Sequence, residues 1–62
     1  MKSRDVIARI EAAGWVRVRQ AGSHIQFRHP TRLGTVTVPH PKSDLAIGTL
    51  KSIERQSGVA LR

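Results

Sequence analysis

The sequence has no cysteine and no tyrosine, and it has one tryptophan and one phenylalanine among its 62 residues. The absence of cysteine excludes a disulfide framework and thiol catalysis. No apolar run resembles a signal peptide or a membrane span, so we expect a cytoplasmic protein that does not contact membranes. A chain of this length is enough for a single domain, residues 1–62, with a small hydrophobic core.

Acidic residues are also scarce, because four Asp and Glu stand against eleven Lys and Arg, for a formal charge of +7. Such a charge attracts polyanions, and nucleic acid is the leading partner. A merely solubilising basic surface, or affinity for an acidic protein, remains open on charge alone. With no cysteine and no closely spaced histidine pair, we expect neither a metal site nor another cofactor.

Two amphipathic helices are predicted, one near each end of the chain. The first is capped by Ser3, carries Asp5 in its first turn and stops at Gly14. The second is capped by Ser43 or Asp44 and ends at Gly58, after which Val59 and Leu61 pack back. The apolar stripes are Val6, Ile7, Ile10 and Ala13 in the first helix, and Ile47, Leu50 and Ile53 in the second.

Between the helices the apolar pattern changes to a period of two, which predicts strands over residues 15–20, 23–28 and 35–38. One face is apolar and needs a cover, which both helices can supply. The sequence therefore predicts an α+β fold in the order α-β-β-β-α, with a three-stranded antiparallel sheet and both helices on one face. The residues expected to face the helices are Val16, Val18, Ile25, Phe27, Val36 and Val38.

The opposite face, here called the open face, is predicted to be basic. Its members by alternation are Trp15, Arg17, Arg19, His24, Gln26, Arg28, Thr35 and Thr37. Exposed arginines on strands are often only protection for a sheet edge. An exposed tryptophan beside arginines favours stacking on a base, with packing over the sheet edge as its alternative.

His24 is the candidate catalytic residue on this face. Gly22 allows a tight turn beside it and close approach of a ligand backbone. Ser23 points to the other face and suits turn hydrogen bonding, so no Ser-His-Asp triad is indicated. In RNA cleavage the 2′-hydroxyl of the substrate is the nucleophile, so one histidine and nearby arginines suffice. His29 and His40 precede prolines and are predicted to serve turns, although His40 could assist binding.

The residues also resemble a known family. The matching positions are Gly14 and Trp15, Val18 to Gln20, Gly22 to His24, Phe27, Val38 to Pro41, Gly48 to Leu50, Ile53 and Gly58. Together they resemble the HicA family of toxin ribonucleases, the mRNA interferases of type II toxin-antitoxin pairs, almost from end to end.

This resemblance implies a fold like the double-stranded-RNA-binding domain, mRNA as the substrate and His24 as the catalytic histidine. It also implies a HicB-type antitoxin as partner, which we expect to cover His24. Many relatives carry a second histidine or another polar residue at the position of Ile25, so no catalytic role is assigned there. The residues expected to bind RNA are Trp15, Arg17, Arg19, Gly22, Ser23, Gln26, Arg28 and Lys42.

Two other classes stay open from the sequence. A non-catalytic RNA-binding module of the same fold would hold phosphates with Arg17, Arg19 and Lys42 and cleave nothing. A module that docks on an acidic protein would have no affinity for RNA at low salt.

Overall fold

The computed structural model describes residues 1–62 and has the predicted order of elements. Helix α1 spans Ser3–Ala12 and helix α2 spans Ile47–Ser57. Between them lie the strands β1 (Val16–Ala21), β2 (His24–Arg28) and β3 (Val36–Pro39). The α+β class and the α-β-β-β-α order are therefore confirmed.

The three strands form one antiparallel sheet in the order β1-β2-β3, so β2 is the central strand. Ile25 and Phe27 of β2 lie opposite Val38 and Val36 of β3, and all four side chains are buried. Directly paired residues share a face of the sheet. Both helices contribute to the same core cluster as these four residues, which places both helices on one face.

The core is a single cluster of twelve buried apolar residues. Its members are Val6, Ile7, Ile10, Trp15, Ile25, Phe27, Val36, Val38, Leu45, Leu50, Ile53 and Leu61. Leu61 packs back after α2, as predicted, and Val59 packs against the edge of the cluster. Gly58 ends α2 with a φ of 73°, the left-handed conformation expected there.

The predicted helix caps are wrong. Neither helix has a side-chain cap, because the residues that precede them are Lys2 and Ala46. Ser3 is already helical and buried, and its hydroxyl bonds to residues 40 and 42 rather than to its own helix. Asp44 lies 3.0 Å from the N-terminal ammonium of Met1 and forms an ion pair with it. Tertiary partners have replaced the local ones in both cases.

Strand β1 departs most from the prediction. All six of its residues are exposed, with Val16 at 57% and Val18 at 51%. The pairing with β2 shifts between Arg17 and Arg19, where Val18 is an extra residue opposite the β2 ladder. Such a bulge interrupts the alternation of faces. The inward placement of Val16 and Val18 was wrong for this reason, and Ala13 and Ile47 are also exposed.

No helix is long and apolar enough to cross a bilayer.

Candidate active site

His24 is the first residue of the central strand, and its side chain is exposed. Its neighbours across the sheet are Ala21 on β1 and Pro39 on β3. Both are small or compact side chains, so neither extends over the imidazole. The ring is therefore accessible from the open face of the sheet.

The turn between β1 and β2 places this histidine. Gly22 has a φ of 58°, a left-handed conformation that costs an L side chain about 1 to 2 kcal/mol. The side-chain amide of Gln20 donates a hydrogen bond to the Gly22 carbonyl across 3.1 Å. Ser23, also exposed, offers its backbone carbonyl to the N–H of His40 at 2.6 Å. A glycine turn held at both sides thus stands next to His24.

Arg19 is the cation nearest to His24 in the sheet register. It lies opposite Gln26, two positions along β2 from His24, and so shares the face of His24. It is the diagonal neighbour of His24, at a separation of about 7–8 Å that a long side chain can span. Arg28 shares this face too, but it lies four residues along the strand, about 13 Å away.

Arg17 is not on the open face, and its predicted position was wrong. It pairs with Phe27, whose side chain is buried under the helices, so Arg17 projects from the same side as Phe27 at the sheet margin. The extra residue in the bulge puts Arg17 and Arg19 on opposite faces although they are two residues apart. The open face therefore carries one fewer arginine than the alternation predicts.

Trp15 is buried, with 2% of its surface exposed, so its predicted outward placement and its stacking on a base are wrong. The residue lies just before β1 and outside the ladder, where strand alternation does not apply. Its indole Nε1–H donates to the Ser57 carbonyl at 3.3 Å. Its ring meets that of His29 edge-on, with 5.2 Å between centroids. The tryptophan therefore holds the fold together.

His29 has a local structural role, as the sequence predicted. Its Nε2–H donates to the Ala13 carbonyl at 2.9 Å, because a carbonyl can only accept. Its Nδ1 accepts the backbone N–H of Thr31 at 3.1 Å. Both ring nitrogens are thus used within the protein, and His29 does not belong to the open face.

His40 makes a long-range contact, in place of the local turn role that the sequence predicted. Its Nδ1 lies 2.7 Å from the hydroxyl of Ser3, the first residue of α1. The same hydroxyl accepts the backbone N–H of Lys42 at 2.9 Å. Ser3 and His40 are 37 residues apart, so no local pattern in the sequence could have indicated their contact. Lys42, predicted to bind RNA, therefore lies at the start of α1 and not on the open face.

The acidic side chains lie away from His24. Asp5 and Glu11 are on α1, Glu54 is on α2, and Asp44 pairs with the N-terminal ammonium. No group of three or more His, Asp or Glu side chains is arranged to hold a metal ion. The open face near His24 is therefore basic and contains no carboxylate from this chain.

Comparisons with known proteins point in one direction. The model of the HicA toxin of bacterial toxin-antitoxin systems matches residues 3–59. Among solved structures, the chain is similar to one described as a HicA3 and HicB3 toxin-antitoxin complex, with 30% identity, a TM-score of 0.86 and all of both chains covered. A search of curated proteins gives no match.

Proposed function

The chain belongs to the HicA toxin family of toxin-antitoxin systems, and we propose that it is an endoribonuclease that cleaves mRNA with His24 as the catalytic residue. Cleavage of translated RNA stops protein synthesis and arrests growth. The proposed site of action is the cytoplasm, where mRNA is translated. The observation that carries the proposal is the exposed imidazole of His24 beside the Gly22 turn, with Arg19 as its diagonal neighbour.

The proposed reaction uses a nucleophile that the RNA itself supplies. The 2′-oxygen attacks the adjacent phosphorus, the bond from phosphorus to the 5′-oxygen breaks, and the products are a 2′,3′-cyclic phosphate and a 5′-hydroxyl. His24 either takes the proton from the 2′-hydroxyl, while water protonates the leaving 5′-oxygen, or protonates the 5′-oxygen, while water takes the 2′-proton. Such general acid or base catalysis is worth about 10² to 10⁴ in rate.

Binding of the substrate falls to the groups around His24. Arg19 is suited to stabilise the negative charge that gathers on the phosphate oxygens during attack. Gly22 lets the RNA backbone approach closely, because it has no side chain and no atom lies within 4 Å of where one would be. Ser23, Gln26 and Arg28 extend the polar surface along the turn and β2.

The donor set around His24 supports a metal-independent mechanism. Divalent cations such as Mg²⁺ are bound by carboxylate oxygens, usually with a substrate phosphate. The four carboxylates of the chain are on the helices or in the Met1 ion pair, so they do not face His24. The residues around His24 can therefore move a proton and hold a phosphate, but they do not form a cation site.

The proposed partner is a HicB-type antitoxin that covers His24. The similar solved structure is described as a HicA3 and HicB3 complex. A charge of +7 on this chain favours rapid, steered association with an acidic partner. Burying His24 would then silence the enzyme. A complex in which the partner lay only against the helices and left His24 exposed would contradict this part of the proposal.

The test is cleavage of a defined RNA by the purified, antitoxin-free protein in excess chelator. The matched substrate carries a single 2′-deoxy substitution at the mapped bond. We expect cleavage of the first and not of the second, with a cyclic phosphate on one product, and no cleavage of DNA. Cleavage of the substituted bond, or loss of all activity in chelator, would overturn the mechanism. Binding without any cleavage would instead favour a non-catalytic RNA-binding module.

A further inference from the structure

The structure has one cleft, and it is not at His24. It lies where the chain after β3 passes the start of α1, and its volume is about 320 Å³. No apolar side chain other than that of a proline lines it. The residues that matter for its chemistry are Lys2, Ser3, Arg4, His40 and Lys42.

Ser3 and His40 form an oriented pair in this cleft. The Ser3 side chain is buried, with 1% of the residue exposed. Its oxygen accepts the N–H of Lys42 and lies 2.7 Å from Nδ1 of His40, to which the hydroxyl can donate its own proton. A neutral imidazole that accepts at Nδ1 carries its proton on Nε2. His40 can therefore offer a fixed Nε2–H donor to a ligand.

The charges around this donor are positive. Lys2, Arg4 and Lys42 are exposed, and neither ion pair of the protein involves them. The two carboxylates at this end, Asp5 and Asp44, do not line the cleft. The cleft thus combines three unpaired cations with one oriented N–H donor, a set suited to a phosphate group.

The backbone amides of the helix add little to this set. The N–H of Ser3 donates to the Lys42 carbonyl, and those of Asp5 and Val6 donate to the Lys2 carbonyl. Of the first four amides of α1, only the N–H of Arg4 has no backbone partner. Anion binding here therefore depends mainly on side chains, and substitution can test each of them.

The cleft is connected to the turn that carries His24. The backbone N–H of His40 donates to the Ser23 carbonyl at 2.6 Å, and Pro39, one residue earlier, lies directly opposite His24. The chain that leaves the open face at Pro39 therefore enters the cleft at His40. A single RNA strand that places one phosphate at His24 can therefore continue past Pro39 into the cleft at His40.

We propose that the cleft binds a backbone phosphate of the RNA that flanks the bond broken at His24. The phosphate oxygens accept hydrogen bonds from His40 Nε2–H. They also accept from the ammonium groups of Lys2 and Lys42 and from the guanidinium group of Arg4. Ser3 acts as a positioning residue that holds the His40 ring. The inference rests on the proposed ribonuclease function, because it names a second contact for the same substrate.

The experiment measures binding without cleavage. The wild-type protein is titrated with an RNA that carries the protective 2′-deoxy substitution, and one phosphate at a time is replaced by an uncharged methylphosphonate. We expect one replacement outside the scissile phosphate to weaken binding about tenfold or more, the loss typical of a hydrogen bond to a charged group. In His40→Ala and in Lys42→Ala, the same replacement should cost clearly less than in wild type, because one of the donors to that phosphate is already missing.

The controls separate this contact from general charge. Lys51→Ala removes an exposed cation from α2, outside the cleft, and should leave the position-specific loss unchanged. Ser3→Ala should reduce the loss partly, and a thermal melt verifies that each variant is folded.

The proposal would be overturned if each methylphosphonate replacement weakened RNA binding equally in wild type, His40→Ala and Lys42→Ala. So would variants that weaken antitoxin binding but leave the scan unchanged, since the cleft would then serve a protein contact. Failure of the ribonuclease proposal is seen separately, as unmodified RNA that stays intact.

Discussion

The indole of Trp15 donates a hydrogen bond to the backbone carbonyl of Ser57, and so joins the start of β1 to the end of α2. Removing the ring in Trp15→Ala should cost about 3 to 5 kcal/mol. A domain of this size has a total stability of only about 3 to 5 kcal/mol, so this variant should be largely unfolded. A urea titration followed by circular dichroism measures the effect.

Trp15→Phe is the informative companion. It keeps an aromatic ring in the core but leaves the Ser57 carbonyl unpaired, at a cost of about 1 to 3 kcal/mol. The folded variant should bind RNA with wild-type affinity, because the ring does not reach the surface. A folded Trp15→Phe protein with clearly weakened RNA binding would mean that the indole contacts the substrate.

Arg17 and Arg19 form a matched pair for testing the bulge, since both are exposed arginines of the same strand. Arg19→Ala should weaken RNA binding and lower the slope of log affinity against log salt by about 0.7, the value for one phosphate contact on a single strand. Arg17→Ala should leave the slope near its wild-type value. Equal effects of the two substitutions would contradict the assignment of the arginines to opposite faces.

The order of elements could be predicted from the sequence, because periodicity and glycine stops are local signals. The bulge could not, since Val16 to Arg19 reads as regular alternation and the extra residue appears only when β1 is paired with β2. Trp15 was misplaced because alternation was extended one residue beyond the strand. His24 was placed correctly on an exposed face because β2 is regular. The Ser3 contact with His40 depends on tertiary packing and left no sequence signal.

Gly22 and Gly14 differ in what surrounds them, and this difference predicts how much an alanine at each position destabilises the fold. Gly22→Ala places a methyl group in open space at a φ of 58° and should cost about 1 to 2 kcal/mol. Gly14→Ala is strained in the same way, at a φ of 100°. Its added methyl group would also lie 2.7 Å from Nε2 of His29. It should therefore be the more destabilising, because His29 must leave the Ala13 carbonyl. Equal denaturation midpoints would show that His29 moves without cost.

Glu54 links stability to pH. The backbone N–H of Leu61 and then the Arg62 side chain, at 2.7 and 3.1 Å, hold the pKa of the Glu54 carboxyl below its ordinary value. A lowered pKa in the folded state stabilises the fold fully above the ordinary glutamate pKa, and this contribution is lost as the pH falls through the lowered value. Wild type should thus exceed Glu54→Gln in stability at pH 7, and the difference should shrink in acid. Melting curves of both proteins, recorded from pH 7 into the acid range, measure this difference in stability. A difference that stays constant with pH would contradict the linkage.

The measurement that tests the central claim most directly is the single-turnover cleavage rate of His24→Ala on the mapped RNA, beside wild type and Lys51→Ala. Since His24 is exposed and supports no core packing, the variant should melt like wild type. Its rate should fall by about 10² to 10⁴, while Lys51→Ala cleaves normally. A folded His24→Ala protein that cleaves the RNA at the wild-type rate would contradict the account.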